Sequence, residues 1–327
     1  MSSKYLLGFD IGGTKIGIGL GTVDGTILQS ERIDNKNTDP EKILPLLAEI
    51  AKKQLAAEKI TSKDVLAFGI STPSPADIPN GIITNPPNNP YWRNVPLKSY
   101  LENALQIKGC FENDANCAAL AEWYFGAGKG CKDMIYLTMS TGIGAGIIAG
   151  GKLIQGTSFL AGEIGHAVLV PNGRLCNCGL KGCWEAYCGG RAIAQRMQEE
   201  LAGSGDHIML QYAQDGLLEN LDMLSLENAA RDGVEYAVRL WEEMCLRDAQ
   251  AFGMLMNIFN PEKIVLGTIA YAAGDFFMAP VKKYLPDFAW QETLEVCEVV
   301  PSMLKREIGS YAGLAGALYE LKQQGVL

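Results

Sequence analysis

The order of apolar and polar positions lays out an alternation of strands and helices. "YLLGFDIGG" and "KIGIGLGTV" are apolar runs studded with glycine, and Asp24-Gly25 marks a tight turn into "TILQS". Residues 5–28 therefore predict a β-hairpin. From 40 to 57 apolar residues recur at helical spacing: Ile43, Leu44, Leu47, Ile50, Ala51 and Leu55. "VLAFGIST" predicts a short strand running into "PSPADIPNGIITNPPNNPYW", whose Pro and Asn content predicts a loop. Pro96 opens a helix, "GCFEN" predicts a strand ending at Asn113, and "NDANCAALAEWYFGAG" predicts a helix closed by glycine. A helical pattern then occupies about 189 to 259. It stops at Asn260-Pro261, because the residue before proline resists helical angles. "KIVLG" predicts a strand and "YAGLAGALYELKQQ" a closing amphipathic helix.

Between these lies "MIYLTMSTGIGAGIIAGGKLIQG", which repeats the opening: strand, Thr/Gly-rich turn, glycine-studded strand, two-residue turn, strand. Aligning Gly12 with Gly142 brings Gly150-Gly151 to the place of Asp24-Gly25. The repeat predicts two related α/β lobes facing one another, with the boundary near 115. A chain of 327 residues exceeds what one core usually serves, which agrees with two domains.

Composition narrows the function. The chain is 48% apolar and 20% charged, as folded proteins are, with a net charge of −9 and no basic cluster, so nucleic acid is not an expected partner. The opening "MSSKYLLGFDIGG" lacks the apolar stretch of a signal peptide, and no run reaches membrane-spanning length. The expected setting is cytoplasmic, with reduced thiols.

Two glycine turns carry the first candidate chemistry. "DIGGTK" places Gly12, Gly13, Thr14 and Lys15 between strands, and Asp10 stands beside them. Glycine lets backbone N–H groups approach a phosphate, and a carboxylate can hold magnesium through water. A plain hairpin turn reads equally well from six residues. The second turn contributes Thr141 and Gly142. Two such turns on two lobes can grip a triphosphate from both sides. A Walker loop is absent, and "GAGIIA" at 144–149 continues as strand instead of opening a helix as a dinucleotide fingerprint would.

Asp114 stands where a strand becomes a helix. An N-cap is the plain reading. The same place stabilises an ionised carboxylate that can take a proton from an attacking alcohol, with Asn113 beside it to bond a sugar hydroxyl.

His166, Cys176, Cys178 and Cys183 give H-x9-C-x-C-x4-C, a set that suits tetrahedral zinc better than inert thiols. Cys176 and Cys178 are too close in sequence to bridge each other. Cys188 is a fifth candidate; His166 is preferred as the fourth ligand, because Cys188 lies in a helical-looking stretch. A fully ligated zinc is structural. Glu163 and Glu185 bracket this loop and read singly as solvated charges; on a metal-stiffened loop they can read sugar hydroxyls, with the second ring nitrogen of His166.

"FDIGGTK", "ENDANCAALAEWYFGAG", "TGIGAGII", "AGEIGH" and "CNCGLKGCWEAY" together resemble the ROK family (repressors, open reading frames, kinases), over about residues 5 to 320. The resemblance implies an α/β, two-lobed actin-like ATPase (ribonuclease H-like) fold with a cleft between the lobes. The lobes would be 1–115 and 116–309, the last helix, 310–327, packing back on the first. It implies ATP and Mg2+, with Asp10, Gly12, Gly13, Thr14, Lys15, Thr141, Gly142 and Gly267 on the nucleotide side. It implies Asp114 as general base on the 6-hydroxyl of a hexose, foremost glucose. Asn113, Glu163, His166 and Glu185 would contact the sugar, and the His–Cys set would hold Zn2+. Members are often homodimers or tetramers, and a homodimer is the expected assembly.

Some positions depart from the family pattern. Ser71 and Ser74 in "STPSPAD" stand at usual glycines and are expected to crowd the sugar pocket, counting against bulkier N-acetylated sugars. Thr268 and Ile269 follow Gly267 where further glycines are usual, and Ser140 precedes Thr141. Rival readings are an N-acetylhexosamine kinase and a non-catalytic sugar-sensing regulator. Regulators of the family carry a DNA-binding domain ahead of the first glycine turn, and nine residues before Asp10 are too few for one. A zinc alcohol dehydrogenase is set aside, since the metal set is complete and no dinucleotide turn opens a helix. Residues 199–226, with His207, carry no functional signal.

Overall fold

A computed structural model describes residues 4–36, 38–86, 91–203 and 207–327. The chain forms two compact units, 1–130 with 303–327, and 131–302. In chain order the first unit begins β1 (Tyr5–Ile11), β2 (Lys15–Thr22), β3 (Ile27–Asp34), α1 (Pro40–Ala57) and β4 (Val65–Thr72). It continues with β5 (Ala76–Asp77), β6 (Ile82–Ile83), α2 (Leu97–Leu105), β7 (Gly109–Asn113) and α3 (Asp114–Phe125). The second unit opens with β8 (Met134–Met139), β9 (Ile143–Ala149), β10 (Lys152–Leu153), α4 (Glu185–Cys188) and α5 (Gly190–Leu201). Then come α6 (Met223–Arg231), α7 (Glu235–Phe259), β11 (Lys263–Leu266), α8 (Thr268–Ala273), α9 (Asp275–Tyr284), α10 (Gln291–Val296) and β12 (Glu298–Pro301). The chain closes with α11 (Ile308–Gln323) in the first unit.

The first sheet runs β3-β2-β1-β4-β7, with the first three strands antiparallel and β1, β4 and β7 parallel. The second runs β10-β9-β8-β11-β12 with the same pattern of directions. The internal repeat of the sequence is thus a repeat of sheet topology.

Central strands are covered on both faces, so they read as nearly continuous apolar runs. On one face of the first sheet Leu7, Phe9, Ile11, Ile16, Ile18 and Leu20 pack with Ile43, Leu47 and Leu101 of α1 and α2. On the other, Leu6 and Ala67 meet Leu314, Leu318 and Leu321 of α11. There the backbones themselves touch. A Cβ added at Gly313 would stand 2.6 Å from Gly8 Cα and 2.7 Å from Gly69 O. In the second unit one core joins Ile135 and Leu137 of β8 to Trp241, Phe252 and Met256 of α7 and Phe277 of α9.

The structure corrects several expectations. The units divide after Gly130, not near 115, because α3 packs on α11 within the first unit. The helical region of 189–259 is three helices, interrupted by short 3-10 turns over Ile208–Tyr212, Gln214–Gly216 and Leu218–Asn220. Residues 268–301, for which the pattern predicted no element, hold α8, α9, α10 and β12. The closing helix is not amphipathic: Ala312 to Leu318 are all buried, held between the sheet and α3. Part of the proline-rich loop, 87–90, lies outside the described residues, as does 204–206.

Candidate functional site

In the first unit, β1 and β2 are joined by the turn Gly12–Lys15, closed by the Gly12 N–H on the Lys15 carbonyl at 2.9 Å. Asn35 fixes this turn from below: its side-chain amide donates to Gly12 O at 2.7 Å and its backbone N–H to Thr14 O at 2.7 Å. With Gly13, the turn presents the exposed side chains of Thr14 and Lys15. Asp10 lies two residues beyond Gly8 on the face that α11 covers. Burial pushes its carboxyl up, while the Ser71 hydroxyl and the Arg32 charge pull it down. Ser71 is Asp10's register partner on β4 and donates to Oδ1 at 2.8 Å. The expectation that Ser71 crowds the sugar pocket is not met: the hydroxyl is spent on Asp10. Ser74 also has a partner, accepting from Asn113 Nδ2 at 3.1 Å.

At the head of α3 the cap is Asn113, not Asp114. Asn113 Oδ1 accepts from Ala115 N at 2.9 Å and from Asn116 N at 3.3 Å. Asp114 is the first helical residue, exposed, with Oδ1 also accepting from Ala115 N at 2.8 Å. The helix N-terminus therefore stabilises an ionised carboxylate that the fold does not use as its cap. With Oδ1 engaged in the cap and one amide N–H on Ser74, the second N–H of Asn113 is the group able to serve a ligand.

In the second unit the corresponding turn holds Thr141 and Gly142 between β8 and β9. It is seated on the head of α5: the N–H groups of Gly190 and Arg191 donate to the carbonyls of Ser140 and Thr141 at 2.8 and 3.0 Å. Glu185 Oε2 accepts from Ile143 N at 2.8 Å. One carboxylate thus braces the 140–142 turn from the residue that follows the cysteine loop. Gly267 sits at the end of β11, its N–H donating to Leu137 O at 2.8 Å. Gly267 holds a main-chain position beside β8, and the side chains of Thr268 and Ile269 begin α8.

Glu163 and His166 belong to a segment pressed against β9. A Cβ on Gly165 would stand 2.3 Å from Ile143 O, so only glycine permits this approach. Glu163 is exposed and precedes the 3-10 turn Ile164–His166. From here the chain forms a knuckle: Cys176 N donates to Leu180 O at 2.8 Å, Leu169 N to Gly182 O at 2.9 Å and Trp184 N to Ala167 O at 2.8 Å.

The knuckle brings one ligand atom each from His166, Cys176, Cys178 and Cys183 within 4.8 Å of one another. Cys178 Sγ and Cys183 Sγ are 3.7 Å apart, and His166 Nδ1 is 3.7 Å from Cys176 Sγ. A tetrahedral ion with metal–sulfur bonds of about 2.3 Å has ligands about 3.8 Å apart, so the set fits. Burial pushes Cys183 up to about 12, a cost a coordinated cation removes by holding the thiolate. The Leu180 N–H pulls exposed Cys178 down. Cys188 points elsewhere, its thiol 3.5 Å from the Met244 carbonyl.

Asp248 of α7 escaped the sequence reading, because an aspartate in a long helix reads as a solvated charge. It is fully buried, accepts from Trp184 Nε1 at 2.7 Å, and burial pushes it up to about 7. It anchors the residue between Cys183 and Glu185.

With the geometry in place, the comparisons with known proteins add identity. The ROK family profile matches residues 6–324. A glucokinase of Thermotoga maritima is 34% identical over 325 residues, 99% of each chain. The ROK hexokinase of Thermus thermophilus superposes with a TM-score of 0.85 at 29% identity, over 98% of this chain and 99% of that one. A ROK family glucokinase from Streptomyces griseus, solved in complex with glucose and AMPPNP, superposes with a TM-score of 0.73 at 31% identity, over 98% and 100%.

Proposed function

The chain belongs to the ROK family and has its actin-like ATPase fold, and on that premise we propose that it is an ATP-dependent hexokinase acting on the 6-hydroxyl of glucose. The observation that carries the residue assignment is the division of labour at α3, where Asn113 closes the helix and Asp114 stands exposed at its positive end. Asp114 is the general base. It takes the proton of the sugar hydroxyl as that oxygen bonds the γ-phosphorus of ATP and the bond to ADP breaks. Asn113, Glu163, His166 and Glu185 are assigned to the sugar.

Gly12, Gly13, Thr14, Lys15, Thr141 and Gly142 are assigned to the phosphates and Gly267 to the nucleotide. Asp10, a hard oxygen donor beside the first turn, suits magnesium. Magnesium, when bound, neutralises charge on the phosphates.

The set His166, Cys176, Cys178 and Cys183 is assigned to one zinc ion, structural because no position is left for substrate. The AMPPNP and glucose of the Streptomyces griseus enzyme support the choice of nucleotide and sugar. The proposed setting is cytoplasmic, where the thiolates stay reduced, and the proposed assembly a homodimer. Among the described residues no helix is long and apolar enough to cross a membrane.

The test is Asp114→Asn. Removal of the base should lower kcat by at least about 10²-fold, with glucose affinity by calorimetry held near the unmodified value. Near-normal turnover would refute the base assignment. A hexose panel scored by kcat/KM, with ADP release as readout, separates glucose from N-acetylhexosamines, and a catalyst from a sensor.

A further inference from the structure

Ser71 is completely buried on β4, flanked in register by Asp10 of β1 and Glu112 of β7. Its hydroxyl has a defined partner, Asp10 Oδ1 at 2.8 Å. The pairing follows from topology. β1 and β4 are parallel, and register partners on parallel strands face the same side. Gly8 pairs with Gly69 and Asp10 with Ser71. The two glycines admit the backbone of α11, and the polar pair follows them where the first turn of that helix arrives. There Asp10 Oδ2 lies against Gly309, where a Cβ would come within 2.5 Å. One carboxylate oxygen is therefore tied to a buried hydroxyl and the other confined by a glycine backbone. The carboxylate plane is set before any ligand arrives, in a place where burial disfavours its charge.

We propose that Ser71 is a positioning residue for the nucleotide's magnesium, holding Asp10 through Oδ1 so that its carboxylate meets the hydrated ion in one orientation. The inference rests on the sugar-kinase reading, and it gives the serine at a usual glycine position a role in place of crowding the sugar. Ser71 itself touches neither metal nor phosphate.

The test is calorimetric binding of ADP, with and without Mg2+, to the full-length protein and to Ser71→Ala. A hydrogen bond to a charged group is worth about tenfold or more in an equilibrium. The factor by which Mg2+ tightens ADP should fall about tenfold in Ser71→Ala, with the affinities for magnesium-free ADP and for glucose unchanged. In an Asp10→Asn background the same change should have no further effect. Should Ser71→Ala not fold, Ser71→Cys keeps the volume with a weaker donor and carries the same readout.

A magnesium enhancement within twofold of the unmodified protein overturns the inference. So does an equal loss of glucose and magnesium-free ADP affinity, which marks a merely structural residue, and so does an Asp10→Asn protein that keeps the full enhancement. Hexose phosphorylation by the unmodified protein tests the kinase reading separately. The ADP measurement decides the role of Ser71 whichever way that assay turns out.

Discussion

Asn113 closes α3 with its side-chain oxygen, and the neighbouring Asp114 keeps an exposed carboxylate. Either residue type can cap a helix, so the pair "ND" did not say which one does. Backbone geometry decides it: Asn113 has extended angles and Asp114 already has helical ones. Asp248 offers a sharper test of burial. Its carboxyl is pushed from 3.8 up to about 7 by desolvation, which outweighs the bond from Trp184. Between about pH 4 and pH 7 the folded protein keeps a proton that the unfolded chain has released. Stability from this group therefore falls as pH rises through that window and is lowest above it. Asp248→Asn keeps an acceptor for Trp184 and removes the titration. Urea unfolding at several pH values should show the unmodified protein losing stability relative to the variant, by on the order of a few kcal/mol from about pH 5 to pH 8. A difference independent of pH would mean that Asp248 is already ionised in the folded protein at pH 5, as it is in the unfolded chain.

At the scale of elements, strands and their turns were legible because apolar runs and glycine turns are local signals. β4 spans Val65–Thr72 and β7 spans Gly109–Asn113, as their apolar content predicts. The cysteine loop was legible as a cluster, and the fold does bring His166, Cys176, Cys178 and Cys183 within 4.8 Å of one another. What the spacing did not show is how the loop is oriented. That depends on Gly165 meeting β9 and on Trp184 reaching Asp248, contacts between elements far apart in sequence. The short helices α8 and α10 were missed because six residues carry too little periodicity. The metal assignment predicts about one zinc per chain by elemental analysis. Cys178→Ser removes an exposed thiolate from the set, so both zinc content and glucose affinity should fall. Stripping zinc with a chelator should weaken glucose binding in the same way, because residues 163–185 would lose their brace. Full glucose affinity in a zinc-free protein would rule out that dependence.

For the whole molecule, the misplaced boundary has a physical cause. Local pattern ended the first unit near 115, but α3 belongs to it because α11, from the far end of the chain, packs on that helix. Glu122 ties the same region together, accepting from Ala127 N at 2.7 Å and from Leu304 N at 3.0 Å, so the residues just before the chain leaves the unit and just after it returns share one buried carboxylate. No window of sequence contains both partners. The first unit is thus completed only when the last 25 residues arrive, and its tightest contact is backbone on backbone at Gly313. A larger side chain there has nowhere to go, since strand atoms, not flexible side-chain ends, stand 2.6–2.7 Å from the added Cβ. Gly313→Val should cost about 3 kcal/mol or more, by forcing α11 off β1 and β4. The second unit has its own core and its own ligand loop, so zinc content should stay near one per chain in the same variant. Denaturant melts followed by far-UV circular dichroism, with zinc release read in parallel by a chromogenic chelator, would separate the two. Loss of zinc in step with the first unit would show that the two cores unfold as one cooperative body.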